Sequence, residues 1–149
     1  MSGSNDEDGL TGNDRKALSR RVLEMWGSDC ADVGEDLFAA DYVNHQEPDA
    51  EGGISDKSLG EWRDLVSGFH ESFSGATVRI SRQVAEGDLV ATHWEISATQ
   101  SGEFLGRAAT GKRTTWTGVQ IDRFEGGKIA ESWVPWDKYR FLEALGLVS

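Results

Sequence analysis

Hydrophobic residues recur at helical spacing through the first half of the chain. The spacing predicts a first helix over residues 14–27 and a second, shorter one over residues 32–40. A segment that favours extended backbone follows at residues 41–45. The positions that carry the helical spacing are Leu18, Val22, Met25, Trp26, Val33 and Leu37.

A third helix is predicted from a capping signal and from the apolar stripe behind it. Ser58 is followed three residues later by Glu61, a pairing in which each side chain accepts a hydrogen bond from the other residue's backbone N–H. The apolar stripe consists of Leu59, Trp62, Leu65, Val66, Phe69 and Phe73. The third helix is therefore expected directly after Ser58.

From residue 76 onward, hydrophobic and polar residues alternate, which is typical of strands that bury one face. Glu86-Gly87-Asp88 predicts a tight turn within a hairpin that begins near residue 76 and ends near residue 99. A second hairpin is predicted over residues 114–136, with its turn at Glu125-Gly126-Gly127. The last predicted element is a short helix, which ends at Gly146.

Helices that come first and hairpins that follow them predict an α+β fold, with an antiparallel sheet and helices packed on one of its faces. The 149 residues match the usual size of one domain. Residues 1–12 have no periodicity, so we predict a disordered tail there and a single domain over residues 13–149.

The composition excludes several classes of partner. The formal net charge of -11 would repel nucleic acids and anionic membranes, and no basic stripe offsets it. Cys30 is the single cysteine, which fits a reducing compartment. No apolar leader follows Met1, and no stretch approaches the length that spans a bilayer. We therefore expect a cytoplasmic protein that binds neither nucleic acid nor membrane.

Polar groups among aromatic residues near the chain end are candidates for chemistry. Alternation puts Trp133, Pro135 and Asp137 on one side of the last strand, which brings a carboxylate to the edge of an apolar surface. Asp137 can equally serve as the N-cap of the final helix. His45 is a second candidate, for which a hydrogen-bonded packing role is also open.

Several short strings resemble, in their order along the chain, the SnoaL-like branch of the nuclear-transport-factor-2-like superfamily. They are Asp41-Tyr42-Val43-Asn44-His45, Gly102-Glu103-Phe104-Leu105-Gly106, Thr110-Gly111-Lys112, Phe124-Glu125-Gly126-Gly127-Lys128-Ile129 and the ending from Trp133 to Asp137. The resemblance covers roughly residues 14–147. It implies a strongly curved sheet that three N-terminal helices complete into a cone around one pocket.

In the polyketide cyclases that this chain resembles, an aspartate near the end of the last strand is the acid and base of an intramolecular aldol closure. Asp137 matches that position, so we predict Asp137 as the catalytic residue, assisted by His45. An apolar pocket disfavours the charged form of a carboxylate, which makes it a better proton acceptor near neutral pH. The residues predicted to hold a flat ligand and its oxygens are Trp62, His93, Trp116, Gln120 and Trp133.

The resemblance thus implies a cofactor-free cyclase or isomerase that acts on a hydrophobic, carbonyl-containing and polycyclic small molecule, and a homodimer formed through the outer sheet face. No metal is expected, since no ligand set has suitable types and spacing. Two alternatives stay open: a non-catalytic ligand-binding or association module, and an epoxide hydrolase or hydroxylase that uses the same pocket. The hydrolase would need Glu95 or Asp122 to point inward as a second acid.

Overall fold

One open sheet of six strands carries the helices of this chain. The computed structural model describes residues 9–27, 35–50 and 52–148. The helices there are α1 (Gly12–Glu24), α2 (Leu59–Ser72) and α3 (Lys138–Ala144), with a 3-10 turn at Glu35–Leu37. The strands are β1 (Phe38–Glu47), β2 (Ser55–Ser58), β3 (Phe73–Glu86), β4 (Leu89–Gln100), β5 (Arg113–Glu125) and β6 (Lys128–Pro135). The α+β class predicted from the sequence is confirmed.

The strand order across the sheet is β2-β1-β6-β5-β4-β3. The two predicted hairpins are confirmed as the β3–β4 and β5–β6 pairs. The prediction of an antiparallel sheet needs one correction, because β1 and β6 pair in parallel. Five elements lie between β1 and β6 along the chain, and β6 then pairs beside β1 in the same direction.

The predicted helices differ from the observed ones at the start of the chain. Thr11 caps α1, so the helix begins two residues earlier than expected, and Leu10 packs against the core. Of the predicted second helix, residues 38–40 belong to strand β1, and residues 32–34 lie outside the described part of the chain. Residues 1–8 of the predicted tail also lie outside it.

The third predicted helix is confirmed as α2. Ser58 accepts a hydrogen bond from the backbone N–H of Glu61, and the Glu61 side chain accepts one from Ser58, as the capping signal predicts. The final helix is α3. It ends just before Gly146, whose backbone adopts the left-handed conformation. These caps fix where both helices meet the sheet.

The hydrophobic core lies between the concave sheet face and helices α1, α2 and α3. Alternate residues of β4 and β5 are buried, and they point toward the helices. Gly118 of β5 is required for this packing, since a Cβ there would approach the Trp94 ring to 2.3 Å and the Trp136 Cβ to 2.7 Å. In the ranges described above, no helix is both long and apolar enough to cross a membrane.

Candidate functional site

A cavity of about 390 Å³ opens between the inner face of the sheet and helix α2. Its walls are mainly apolar and rich in aromatic rings, and helices, strands and loops all contribute to them. The aromatic lining residues are Trp26, Trp62, Phe69, Trp94, Phe104, Trp116, Trp136 and Phe141. Apolar walls with a few polar groups are typical of a small-molecule site.

The aromatic wall contains one buried donor without a partner. The Nε1–H of Trp94 makes no hydrogen bond within the described residues, although the side chain is only 4% exposed. A buried N–H normally has an acceptor. Trp94 therefore lines the cavity with its ring, while its indole N–H is enclosed in the core.

The charged residues that line the cavity are all acidic, within the described part of the chain: Asp49, Asp64, Glu71 and Glu103. Asp64, Glu71 and Glu103 are exposed, whereas Asp49 is partly buried, with 18% of its side chain exposed. Asp49 Oδ2 accepts from the Ser55 hydroxyl at 2.8 Å and pairs with Lys57 Nζ at 3.2 Å. Strand β2 thus holds this carboxylate in place at the cavity.

Two glutamines line the cavity, and a chain of buried side chains joins them behind its wall. We call this set the buried polar chain: Gln46, Asn44, Tyr42, Ser132, Asp122 and Gln120. It crosses three neighbouring strands, because Ser132 of β6 pairs in register with Asn44 of β1 and with Asp122 of β5. Both ends of the buried polar chain therefore lie at the cavity.

The β1 half of the buried polar chain follows from alternation, since Tyr42, Asn44 and Gln46 all point inward. Gln46 Nε2 donates to Asn44 Oδ1 at 2.6 Å, and Asn44 Nδ2 donates to the Tyr42 hydroxyl at 2.9 Å. The Tyr42 hydroxyl donates to Ser132 Oγ at 2.9 Å. Burial, with a smaller effect of Asp122, raises the pKa of Tyr42, so its hydroxyl keeps its proton.

The β5 half ends on a carboxyl that is fully buried. Asp122 Oδ1 accepts from Ser132 Oγ at 2.5 Å and from Gln120 Nε2 at 3.0 Å. Burial raises the pKa of Asp122, and hydrogen bonds from Ser132 and Gln120 oppose that rise. Asp122 itself does not line the cavity, which it reaches through Gln120.

Three of the predicted ligand-binding residues line the cavity: Trp62, Trp116 and Gln120. Trp62 lies on the buried side of α2, while Trp116 and Gln120 alternate along the inner face of β5. Their roles toward a ligand stay predictions.

The other predicted residues lie away from the cavity lining. His45 stacks on Trp133 with ring centroids 5.6 Å apart, and both side chains are on the opposite face of the sheet from the inward residues of β1 and β6. His93 lies on that outer face of β4. Asp137 lies beyond the end of β6, at the start of α3, and Val134 and Trp136 are the neighbouring residues that line the cavity.

His45 is held between two carboxylates. Its Nδ1 lies 2.6 Å from Asp56 Oδ1, and its Nε2 lies 2.7 Å from Glu131 Oε2. Partial burial alone would lower the pKa of His45, but the hydrogen bonds that the ring donates to Glu131 and Asp56 outweigh it and raise the pKa above 6.5. The hydrogen bond with His45 lowers the pKa of Glu131, and Arg123 adds to that effect.

Asp137 is exposed and caps α3, where its Oδ1 accepts from the backbone N–H of Arg140 at 3.1 Å. This is the capping role that the sequence left open. Of the two acids named for an epoxide hydrolase, Asp122 points inward, whereas Glu95 points outward and pairs with Arg79 at 3.0 Å. The catalytic role of Asp137, like that of His45, stays a prediction.

Sequence reasoning missed Gln46, Asp49 and Trp94 at the cavity. Alternation from Tyr42 through Asn44 carried the signal for Gln46. Trp94 alternates with its neighbours on β4 in the same way. No sequence pattern indicated Asp49, because it lies in a loop that strand β2 positions.

The comparisons with known proteins agree with this architecture. The family model of the SnoaL-like polyketide cyclases matches residues 16–145. No match is found among curated proteins.

Three solved structures illustrate the likeness. AclR of Streptomyces galilaeus, a proposed hydroxylase, is 27% identical with a TM-score of 0.81, over 93% of this chain and 89% of that one. IdmH of Streptomyces antibioticus, a proposed polyketide cyclase, is 27% identical with a TM-score of 0.74, over 88% and 97%. A protein of Catenulispora acidiphila with a ketosteroid isomerase-like fold, in complex with trimethylamine, is 15% identical with a TM-score of 0.68, over 88% and 93%, which is a likeness of fold. Since the family model spans nearly the whole described chain, this protein belongs to the SnoaL-like polyketide cyclase family.

Proposed function

We propose that this protein is a cofactor-independent cyclase or isomerase that removes a proton next to a carbonyl group of a flat, hydrophobic small molecule. The observation that carries the proposal is the aromatic cavity, into which a partly buried carboxylate is built. Family membership and the likeness to IdmH support a polyketide as the substrate. The other reading of this site is a binding module without catalysis.

Asp49 is the aspartate that the geometry favours as the base. It is the least exposed of the four carboxylates that line the cavity, and Ser55 and Lys57 hold its Oδ2 in position. A fixed carboxylate beside apolar walls can accept a proton without reorganising. Asp137, exposed at the start of α3, is the alternative base that the sequence predicts.

The proposed reaction involves only the substrate and the Asp49 side chain. Asp49 takes the proton from the α-carbon, and the electron pair of the broken C–H bond moves to the carbonyl oxygen to form an enolate. In a cyclase, the enolate carbon then attacks a second carbonyl of the same molecule, and the oxygen of that carbonyl takes the proton back from Asp49. In an isomerase, Asp49 returns the proton to a different carbon of the substrate.

Deuterium exchange at the α-carbon tests this step without knowledge of the natural substrate. We expect the protein in D₂O to accelerate exchange at C1 of 2-tetralone and at C1 of 2-indanone, two nearly flat ketones, as followed by proton NMR. Asp49→Asn should reduce the acceleration about 10²-fold, the usual share of a general base. No acceleration of either ketone by the unmodified protein would contradict the proposal.

Asp137→Asn is the matched variant, since it also replaces one aspartate by its amide. We expect it to keep the exchange rate within about twofold of the unmodified protein, as an Asn side chain can still cap α3. If Asp137→Asn lost the acceleration and Asp49→Asn kept it, Asp137 would be the base and the assignment of Asp49 would be wrong.

A further inference from the structure

The amide groups of Gln46 and Gln120 are nearly buried, at 7% and 2% exposure, and both line the cavity. Their Nε2 atoms donate into the buried polar chain, to Asn44 Oδ1 and to Asp122 Oδ1. Neither Oε1 atom has a hydrogen-bond partner among the described residues. The polar atoms that lack a partner and are also enclosed do not include these two oxygens. Both carbonyl oxygens are therefore accessible from the cavity.

The hydrogen bonds of the buried polar chain all run toward Asp122. Gln46 donates to Asn44, Asn44 to Tyr42, Tyr42 to Ser132, and Ser132 to the Asp122 carboxyl. From the other side, Gln120 donates to the same Asp122 Oδ1. The ionised Asp122 carboxylate has no proton to donate, so it is the amide nitrogen of Gln120 that turns toward its Oδ1.

The orientation of a glutamine amide decides what it offers to a ligand. Its oxygen and nitrogen are nearly equal in shape, so a half-turn about the last bond exchanges an acceptor for a donor without changing the space filled. Because a buried polar group without a partner is costly, the cavity should discriminate between ligand groups that donate and groups that only accept.

We propose that Asp122 is a positioning residue, which turns the Gln120 amide so that its oxygen faces the cavity and accepts a hydrogen bond from a ligand hydroxyl. Through the rest of the buried polar chain, Gln46 presents its oxygen in the same way at the other end. This inference rests on the proposed function, because it assigns the hydrogen-bonding preference of the same site. It predicts a ligand with hydroxyl groups at the sheet side of the cavity.

Equilibrium dialysis with three naphthalene probes of similar shape measures this preference. 2-Naphthol can donate a hydrogen bond, whereas 2-methoxynaphthalene and 2-acetylnaphthalene can only accept one. We expect the unmodified protein to bind 2-naphthol about tenfold more tightly than either of the other two, the effect of one net hydrogen bond. Equal affinities, or no binding of any probe, would overturn the proposal.

Asp122→Asn tests the positioning role, since an Asn amide can donate to Gln120 Oε1 and turn the Gln120 nitrogen toward the cavity. The affinity ratio of 2-naphthol to 2-acetylnaphthalene should then fall about tenfold or more. Thr92→Val is the control, because it removes the hydrogen bond from Gln83 to a buried hydroxyl that lies outside the buried polar chain. It should lower the melting temperature and leave the ratio unchanged.

Gln120→Leu keeps the proposal testable if Asp122→Asn does not fold. It removes the accepting oxygen, so the preference for 2-naphthol over 2-methoxynaphthalene should fall to within about twofold. A folded Asp122→Asn or Gln120→Leu variant with the original preference would overturn the proposal. Failure of the proposed function is distinguishable, because it would abolish deuterium exchange in the unmodified protein and leave the hydroxyl preference in place.

Discussion

Asp137 has a defined structural task at the scale of a single residue. Its Oδ1 accepts from the Arg140 backbone N–H, one of the donors that the first turn of α3 leaves without a helical partner. Helix α3 is only seven residues long, and it carries Phe141 into the aromatic wall of the cavity. The cap therefore stabilises one wall of the site.

Asp137→Ala should lower the free energy of unfolding by about 1 kcal/mol, the usual contribution of an N-cap. Asp137→Asn should change it by only a few tenths of that amount, because Asn is an equally good cap. Thermal unfolding followed by circular dichroism measures both. A melting temperature of Asp137→Ala equal to that of the unmodified protein would show that the cap contributes nothing.

Residue-level expectations from the sequence were correct where one face of an element was unambiguous. Trp62 and Trp116 lie in runs whose apolar positions repeat with one period, so their burial followed from the pattern. In β6 both faces carry large apolar side chains, with Trp133 on one and Val134 on the other. Alternation tells which residues share a face but not which face is inside, so Trp133 was assigned to the wrong side.

At the scale of elements, the edge strand β2 depends on side-chain contacts with its neighbours. β2 has four residues and pairs with β1 in the described sheet. His45 connects it further, because the ring contacts Asp56 of β2 through one nitrogen and Glu131 of β6 through the other. Since both nitrogens face carboxylate oxygens, the protonated ring satisfies both contacts.

The stability that His45 supplies should depend on pH. The folded pKa of His45 is raised, so its contribution is complete below its unfolded value of about 6.5 and is lost as the pH rises through the folded pKa. The folded pKa of Glu131 is lowered, so its contribution is present above about 4.5 and is lost as the pH falls through the folded pKa. The pair therefore stabilises the fold most between about pH 4.5 and 6.5.

His45→Gln should reveal this window. We expect its melting temperature to lie about 2–4 °C below that of the unmodified protein at pH 5.5, as partly exposed ion pairs contribute about 1 kcal/mol together. The difference should shrink by pH 9, where the histidine of the unmodified protein loses its charge. A difference of the same size at pH 5.5 and at pH 9 would contradict the role of the ion pairs.

Elements with strong local signals were predictable, and those that depend on distant partners were not. The capping pair at Ser58 and the glycine turns lie within a few residues of the elements they define. Residues 38–40 have an apolar spacing that fits a helix, but their strand conformation comes from pairing with β6, about 90 positions later. Strand β2 is short and polar, and β1 determines its place.

At the scale of the whole molecule, the sheet and its helices serve to enclose the cavity. The cavity walls come from all three helices, from strands β1, β4, β5 and β6 and from two loops, so the site exists only in the folded domain. The homodimer through the outer sheet face stays a prediction. So does the polyketide nature of the substrate, which follows from family membership.

Two glycines of α2 offer a matched pair of variants that block or spare the cavity. Gly68 lines the cavity and Gly60 lies on the exposed side of the same helix, and a Cβ at either position meets no atom within 4 Å. Leucine in a helix is more favourable than glycine by about 0.5–1 kcal/mol, so neither variant should be destabilised. Gly68→Leu would fill part of the space a ligand needs.

Deuterium exchange on 2-tetralone, compared between these two variants, is the most direct test that the chemistry takes place in the cavity. We expect Gly68→Leu to lose at least about tenfold of the acceleration, with an unchanged or higher melting temperature, because the bulkier side chain shifts the ketone away from the base. Gly60→Leu should exchange at the rate of the unmodified protein. A Gly68→Leu variant that retained the full rate would contradict the assignment of the reaction to this cavity.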